Sequence, residues 1–331
     1  MYLEVAMRVL RRILVVLLIF ILVILVVYGL AMLLGKQILY PKFSRQAKKG
    51  VLIPDLSKGF TPQGVSYIDD AKCTLICGYY PGSEASRIYV VYDNGDVKEI
   101  PLKRENGDVY TGHAGGLTAA GDHVYVSNAS KLFVLNTADI LNARSGEYVS
   151  FIGYIPVPCR ASFCGSDGEY VYVGDYHADG YETDESHRIS TADGDYQAMV
   201  FAYKLDDGSQ YGLETAPSHA YAVRDIVQGF TVCDGKAVMS CSHSFSPSNL
   251  YSYTIGSPDG TFVQDGKEIP LYILDSRKQI GRLRMPHMSE DIEIKDGKVL
   301  VGFESSARKM LSGLVPCSLR NVMIVPLPHE L

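Results

Sequence analysis

The sequence predicts an all-β fold, a β-propeller, preceded by one N-terminal transmembrane α-helix. Three features carry this expectation: an uncharged apolar run at residues 13–34, short apolar strands separated by Gly-containing turns after Gly50, and a strand–turn–strand unit that recurs about every 50 to 65 residues.

The apolar run is built almost wholly from Leu, Ile, Val and Met. At 1.5 Å per residue its length is about 33 Å, close to the hydrocarbon thickness of a bilayer. A cleaved signal peptide would have an apolar region of only about 7 to 15 residues followed by a small-residue cleavage site, and neither feature is present. The chain therefore divides into a tail (1–12), a transmembrane helix (13–34), a basic juxtamembrane linker (35–50) and a propeller domain (51–331). Arg8, Arg11 and Arg12 precede the span, while Lys36, Lys42, Arg45, Lys48 and Lys49 follow it, so charge does not settle the orientation cleanly. A short Arg-bearing tail before the first apolar run behaves as a signal anchor, and long downstream domains cross largely regardless of charge. The expected topology is single-pass in the cell membrane, with the N-terminus cytoplasmic and the propeller extracytoplasmic. The basic stretch then lies at the outer headgroups as a solvated linker.

The net charge is −6, and because many basic residues belong to the linker, the folded part is more acidic than that figure. This argues against nucleic acid as a partner. The seven cysteines are odd in number and a domain of this size needs no disulfide framework. Cys73 and Cys77 point to one strand face, but with no CxxC pair they read as small buried hydrophobes.

The recurring unit begins with a small or polar residue before an apolar strand, at Gln63-Gly64-Val65, Gly115-Gly116-Leu117, Ala161-Ser162-Phe163, Gln228-Gly229-Phe230 and Glu290-Asp291-Ile292. A turn and a second apolar strand follow, as in Val124-Tyr125-Val126 and Val299-Leu300-Val301. Third strands open with Ser and a polar residue, as in Ser86-Arg87-Ile88-Tyr89. Fourth strands end with an apolar residue and proline, as in Ile100-Pro101 and Ile155-Pro156, which suits an outer edge. Four strands per unit make a propeller blade, and five units make five blades. The last unit lacks a fourth strand, which Leu52-Ile53-Pro54-Asp55-Leu56 at the start of the domain would supply, closing the ring. Six blades are the alternative, since residues 257–284 could hide further strands, and a β-sandwich with insertions is a third arrangement.

These turns and third strands, with Met288-Ser289-Glu290-Asp291-Ile292 and Phe303-Glu304-Ser305, resemble an uncharacterised family of bacterial membrane-anchored or secreted propeller proteins. The resemblance covers nearly all of the chain after the linker. More distantly the chain is similar to the propeller superfamily of lactonases, streptogramin-type lyases and non-enzymatic repeat proteins. Such breadth implies no single function, which must be argued from a site.

In a propeller the innermost strands line the channel, so polar residues at their starts converge at one mouth. Here they are Gln63, His113, Arg160, Gln228 and Glu290, with Ser162 and Ser289 beside them. Ends of second strands contribute Tyr79, Asp175 and Glu304. Gln63, Arg160, Gln228 and Asp175 are the expected ligand-binding residues; His113, Glu290 and Glu304 are the candidate catalytic ones. Glu290 and Glu304 with a histidine could also hold a divalent cation or divide acid and base roles, although no metal-spacing motif is present. The polar insertion after Asp175, with His177, Asp179, Glu182, Asp184, Glu185, His187, Asp193 and Asp195, reads as a surface loop.

The sequence contains no G-x-S-x-G elbow, H-E-x-x-H helix, P-loop or dinucleotide fingerprint. The expectation is a membrane-anchored binding module for an envelope component, a small molecule or a protein. A metal-assisted lyase or hydrolase at the channel mouth is the alternative.

Overall fold

The computed structural model describes residues 1–331, apart from the side chain of Ser312. Tyr2–Leu39 form one helix whose most apolar window has a mean hydropathy of 3.5 and no buried residue, so it is long and apolar enough to cross a membrane. Beyond it the chain is a five-bladed propeller.

Blade one comprises Thr61–Ile68, Cys73–Tyr79, Arg87–Tyr92 and Val97–Lys103. Blade two comprises Gly116–Ala120, His123–Asn128, Lys131–Asn136 and Gly153–Pro156. Blade three is built from Phe163–Ser166, Tyr170–Gly174, Ala198–Lys204 and His219–Val223. Blade four uses Val227–Cys233, Lys236–Cys241, Ser248–Thr254 and Gln279–Met285. Blade five pairs Ser289–Lys295, Lys298–Phe303 and Asn321–Pro326 with a strand from before blade one, Lys48–Leu52. Within each blade every neighbouring pair is antiparallel, which lets short turns such as Asp296-Gly297 join them.

Two expectations are corrected. The closing strand is not Leu52–Leu56: Lys48 pairs with Ile324, Lys49 with Met323 and Leu52 with Asn321. Pro54 has no N–H to offer a ladder, and Asp55 takes a left-handed φ of 52°, so the strand ends before them. Ile53 and Leu56 instead pack into the cluster that fills the gap between blades five and one. Lys48 and Lys49 sit exposed on the outermost edge, where lysines discourage edge-to-edge pairing. The residues expected as a solvated linker are thus largely folded, for Pro41–Gln46 is a short helix and Tyr40 and Phe43 are buried against Leu283, Met285, Phe303 and Leu319. The extra strands in residues 257–284, Gly260–Gln264 and Lys267–Ile273, build no sixth blade. Lys267–Ile273 runs parallel along the outer strand of blade three, with Ala220 opposite Leu271.

Five apolar clusters fill the five gaps between blades, so each blade face is buried by its neighbour and the ring has one continuous wall of hydrophobic packing. The innermost strands approach very closely. A Cβ on Gly64 would collide with the backbone of Leu117 and Gly116, and one on Gly116 with the backbone of Cys164. Blade five has Asp291 where blade one has Gly64; its carboxylate accepts from the Leu117 N–H of blade two at 3.1 Å and from the Ile292 N–H at 3.0 Å. Small residues and this crossing carboxylate bring the channel walls together.

Candidate functional site

One distortion aims side chains at the channel mouth. In blade one Pro62 pairs with Gly78 and Gly64 with Cys77, leaving Gln63 as an extra, unpaired residue. In blade four Val227 pairs with Cys241 and Gly229 with Ser240, leaving Gln228. In blade five Ser289 pairs with Phe303 and Ile292 with Val301, so Glu290 and Asp291 stand opposite Gly302 alone. A bulge of this kind redirects the extra side chain out of the ladder, and Gln63, Gln228 and Glu290 all line the same cavity.

A second device recurs just before the innermost strands. Ala114, Ala161, Ile226 and Met288 all have left-handed backbones, with φ of 51°, 53°, 62° and 60°. Each turn is fastened to the end of its blade's second strand: Gly115 N–H donates to the Ser127 carbonyl at 2.8 Å, Ser162 N–H to Gly174 at 2.8 Å, Ser242 N–H to Ile226 at 3.0 Å and Glu304 N–H to Met288 at 3.1 Å. For β-branched Ile226 this conformation costs on the order of 1–3 kcal/mol. The repeated fastening joins the starts of inner strands to the ends of second strands around one rim.

The cavity inside that rim has a volume of about 580 Å³. His113, Arg160, Gln63, Gln228, Glu290 and Glu304 line it, with Ser162 and Tyr79, so all of the expected mouth residues come together except Asp175 and Ser289, the latter buried with its hydroxyl bonded to Ser240 Oγ at 2.7 Å. Asp175 is wholly buried. Its carboxylate accepts from the Arg160 N–H at 2.8 Å and the Met199 N–H at 3.3 Å, and pairs with His187 Nδ1 at 2.7 Å. It anchors the insertion and the Arg160 backbone and does not face the cavity, a correction to the ligand-binding role expected for it.

Glu304 is paired with Lys309, whose ammonium lies 2.8 Å from its carboxylate and 2.6 Å from the Tyr79 hydroxyl; Gln63 Nε2 donates to Glu304 at 3.2 Å. Burial, reinforced by the neighbouring Glu304 charge and opposed by Lys309, raises the pKa of Glu290 well above the usual carboxyl range and so favours its protonated form. The His113 ring packs against Tyr79 with centroids 4.7 Å apart. Its face is open to the solvent in the mouth, yet the protein crowding around it and the nearby Lys309 ammonium push its pKa down to about 4, leaving a neutral imidazole at physiological pH. On the opposite wall Tyr176 and His243 Nδ1 share a hydrogen bond of 2.6 Å, and burial pushes the Tyr176 phenol up to about 12. The Arg160 guanidinium donates to the Glu182 carbonyl at 2.6 Å and faces the Tyr181 ring, but pairs with no carboxylate among the described residues.

The donor set does not suit a divalent cation. Lys309 already neutralises Glu304 where a metal would sit, and no group of three or more His, Cys, Asp or Glu side chains is placed to hold a metal ion among the described residues. A larger cleft of about 730 Å³ lies between blades five and one, lined by Val51, Leu52, Ile53, Val91 and Leu300 together with Asp55, Asp93, Lys295 and Arg320, whereas the residues at the starts of the inner strands converge at the mouth.

Lys309, Asn128 and His243 line the cavity without having been anticipated. Asn128 ends the second strand of blade two, the position that singles out Tyr79 and Glu304, whereas His243 lies two residues beyond the second strand of blade four, one past the equivalent Ser242. Lys309 belongs to the loop after blade five's second strand and carries no positional signal of its own.

No family model and no curated protein matches the chain. Among solved structures it is similar to an oxidoreductase of Thermus thermophilus described as a glucose dehydrogenase, with 14% identity, 78% of this chain and 79% of that one covered, and a TM-score of 0.38. It is also similar to hydrazine synthase of Kuenenia stuttgartiensis, with 10% identity, coverage of 80% and 74%, and a TM-score of 0.36. A third is a chain of the nidogen/laminin complex, with 10% identity, coverage of 73% and 72%, and a TM-score of 0.35. At these scores the resemblances carry no functional argument.

Proposed function

We propose that this chain is a membrane-anchored binding protein whose propeller mouth takes up a small, polar, anionic ligand, with the propeller on the extracytoplasmic side. The observation that supports it best is the cationic excess of the cavity: Glu304 is balanced by Lys309, burial favours neutral Glu290, and Arg160 forms no ion pair with a carboxylate among the described residues. Tyr79, Tyr176 and Tyr181 offer apolar faces, and Gln63, Gln228 and Asn128 offer amide donors and acceptors, the mixture that orients a small polar ligand. The resemblance of its turns and third strands to anchored or secreted propellers is compatible with this arrangement. The test is a thermal-shift survey of small phosphates, carboxylates and neutral sugars against the purified protein. Anions should raise the melting temperature where neutral sugars do not, and Arg160→Ala should abolish the effect; stabilisation by neutral sugars alone would refute the reading.

A second reading, a lyase or hydrolase, is favoured by one observation: Glu290 and His113 line one cavity, where their surroundings favour the protonated carboxyl of the first and the unprotonated imidazole of the second. Glu290 would donate a proton to a leaving group and His113 would accept one. Turnover of an anionic ester or glycoside, abolished by Glu290→Gln with binding retained, would establish it.

A further inference from the structure

The loop that carries Lys309 into the cavity also touches the membrane helix. Tyr28, within the uncharged run, donates its hydroxyl to the Leu314 carbonyl at 2.5 Å. Higher on the helix, Gly35 is buried, and a Cβ there would lie 3.3 Å from Cys317 Sγ. The helix therefore passes the rim of blade five on the mouth side. From Tyr28 to the end of the uncharged run at Leu34 is about 9 Å along the helix axis. The loop meets the helix at that depth, below the edge of the hydrocarbon defined by the span itself.

The surface of the loop suits such a position. Leu311 and Leu314 are 60% and 63% exposed, Arg308 is exposed beside them, and Lys309 and Met310 of the same loop line the cavity. Large apolar side chains next to a cation are the composition of a segment that lies in the headgroup region with its apolar part in the acyl boundary. One short loop thus has an apolar outer side level with the helix and an inner side in the site.

We infer that the loop containing Arg308, Leu311 and Leu314 is a lip inserted in the bilayer, and that the mouth takes its ligand from the membrane as the anionic head of a phospholipid. This rests on the anionic-ligand reading of the cavity and adds the source of the ligand. The head would meet Arg160 and Lys309 while the acyl chains remain beside Leu311 and Leu314, so the lipid need not leave the bilayer.

The absence of tryptophan from the sequence makes the lip directly testable. Leu314→Trp, or Leu311→Trp should the first fold poorly, places a single reporter in the full chain reconstituted in bilayers. Its emission should be blue-shifted and quenched by lipids brominated near the glycerol end of the acyl chain. Val263→Trp, on an exposed strand of the blade-three extension, should remain unquenched. A solvent-like, unquenched indole in the Leu314→Trp or Leu311→Trp variant overturns the lip.

The ligand is tested by the melting temperature of the full chain in phosphatidylcholine nanodiscs with and without phosphatidylglycerol, and with the soluble headgroup glycerophosphoglycerol. Phosphatidylglycerol should raise it by several degrees, glycerophosphoglycerol at the same concentration should not, and Arg160→Ala should remove the rise. Equal stabilisation by the soluble headgroup overturns the membrane source while leaving the cavity reading intact. No response to either overturns the anionic-ligand reading itself.

Discussion

The Lys309 ammonium lies 2.8 Å from the Glu304 carboxylate, bringing a fixed positive charge into the cavity that also contains His113 and Glu290. Crowding by the surrounding protein, despite the open face of the ring, is the larger cause of the low His113 pKa and the Lys309 charge the smaller one. Lys309→Met should therefore raise the His113 pKa from about 4 while leaving it below its usual 6.5, as followed by NMR titration of the imidazole. The stability loss should be on the order of 1 kcal/mol, because the pair is partly open to solvent.

Asp175 accepts two backbone hydrogen bonds and pairs with buried His187, which packs against Phe201 and Phe262. Asp175→Asn keeps the shape but not the charge, and should cost about 1–3 kcal/mol as buried partners lose an acceptor. The insertion at residues 176–196 should then become cleavable in limited proteolysis, and Arg160, whose backbone Asp175 holds, should bind anions less well.

Glu293 is buried on the innermost strand of blade five, accepts from Ser66 Oγ at 2.9 Å and from the Ile294 N–H at 2.9 Å, and has its pKa pushed up to about 8 by burial. Its folded pKa lies above its unfolded one, so the protonated form favours folding. That contribution is complete below about pH 4.5 and is lost as pH rises towards 8. Glu293→Gln should remove this dependence. Between pH 5 and 8 the variant should gain stability relative to the native chain by on the order of a few kcal/mol, measured by urea unfolding at each pH.

Much of the architecture was legible because a blade repeats its signals: Asp-Gly turns, an apolar second strand and a polar residue at the start of the inner strand. Gln63, Gln228 and Glu290 stood out by position alone, and the bulges explain why that position reaches the cavity. Asp175 misled because Asn128 and Glu304 at comparable strand ends face the cavity, whereas Asp175 is drawn inward by Arg160 N–H and His187. That pairing depends on a fold of the insertion that no local pattern specifies. Lys309 was illegible for a similar reason, since an irregular loop has no periodicity to say which way its lysine points.

The closure of the ring gives the last expected outcome. Lys48–Leu52 is the outer strand of blade five, and Met323 and Val325 on its neighbour are buried in the same cluster as Tyr40 and Phe43. A chain beginning at Tyr40 keeps the short helix, the closing strand and the plug formed by Ile53 and Leu56. It should melt as one cooperative unit in calorimetry. A chain beginning at Val51 retains the plug but loses most of the strand, exposing the ladder edge of Asn321–Pro326. It should lose about 3 kcal/mol or more, a fall of roughly 6–12 °C in Tm for a domain of this size, and should aggregate through the open edge. If the two versions melt together, closure would instead depend on the residues after Val51, and the pairing of Lys48 with Ile324 would contribute nothing to the stability of the ring.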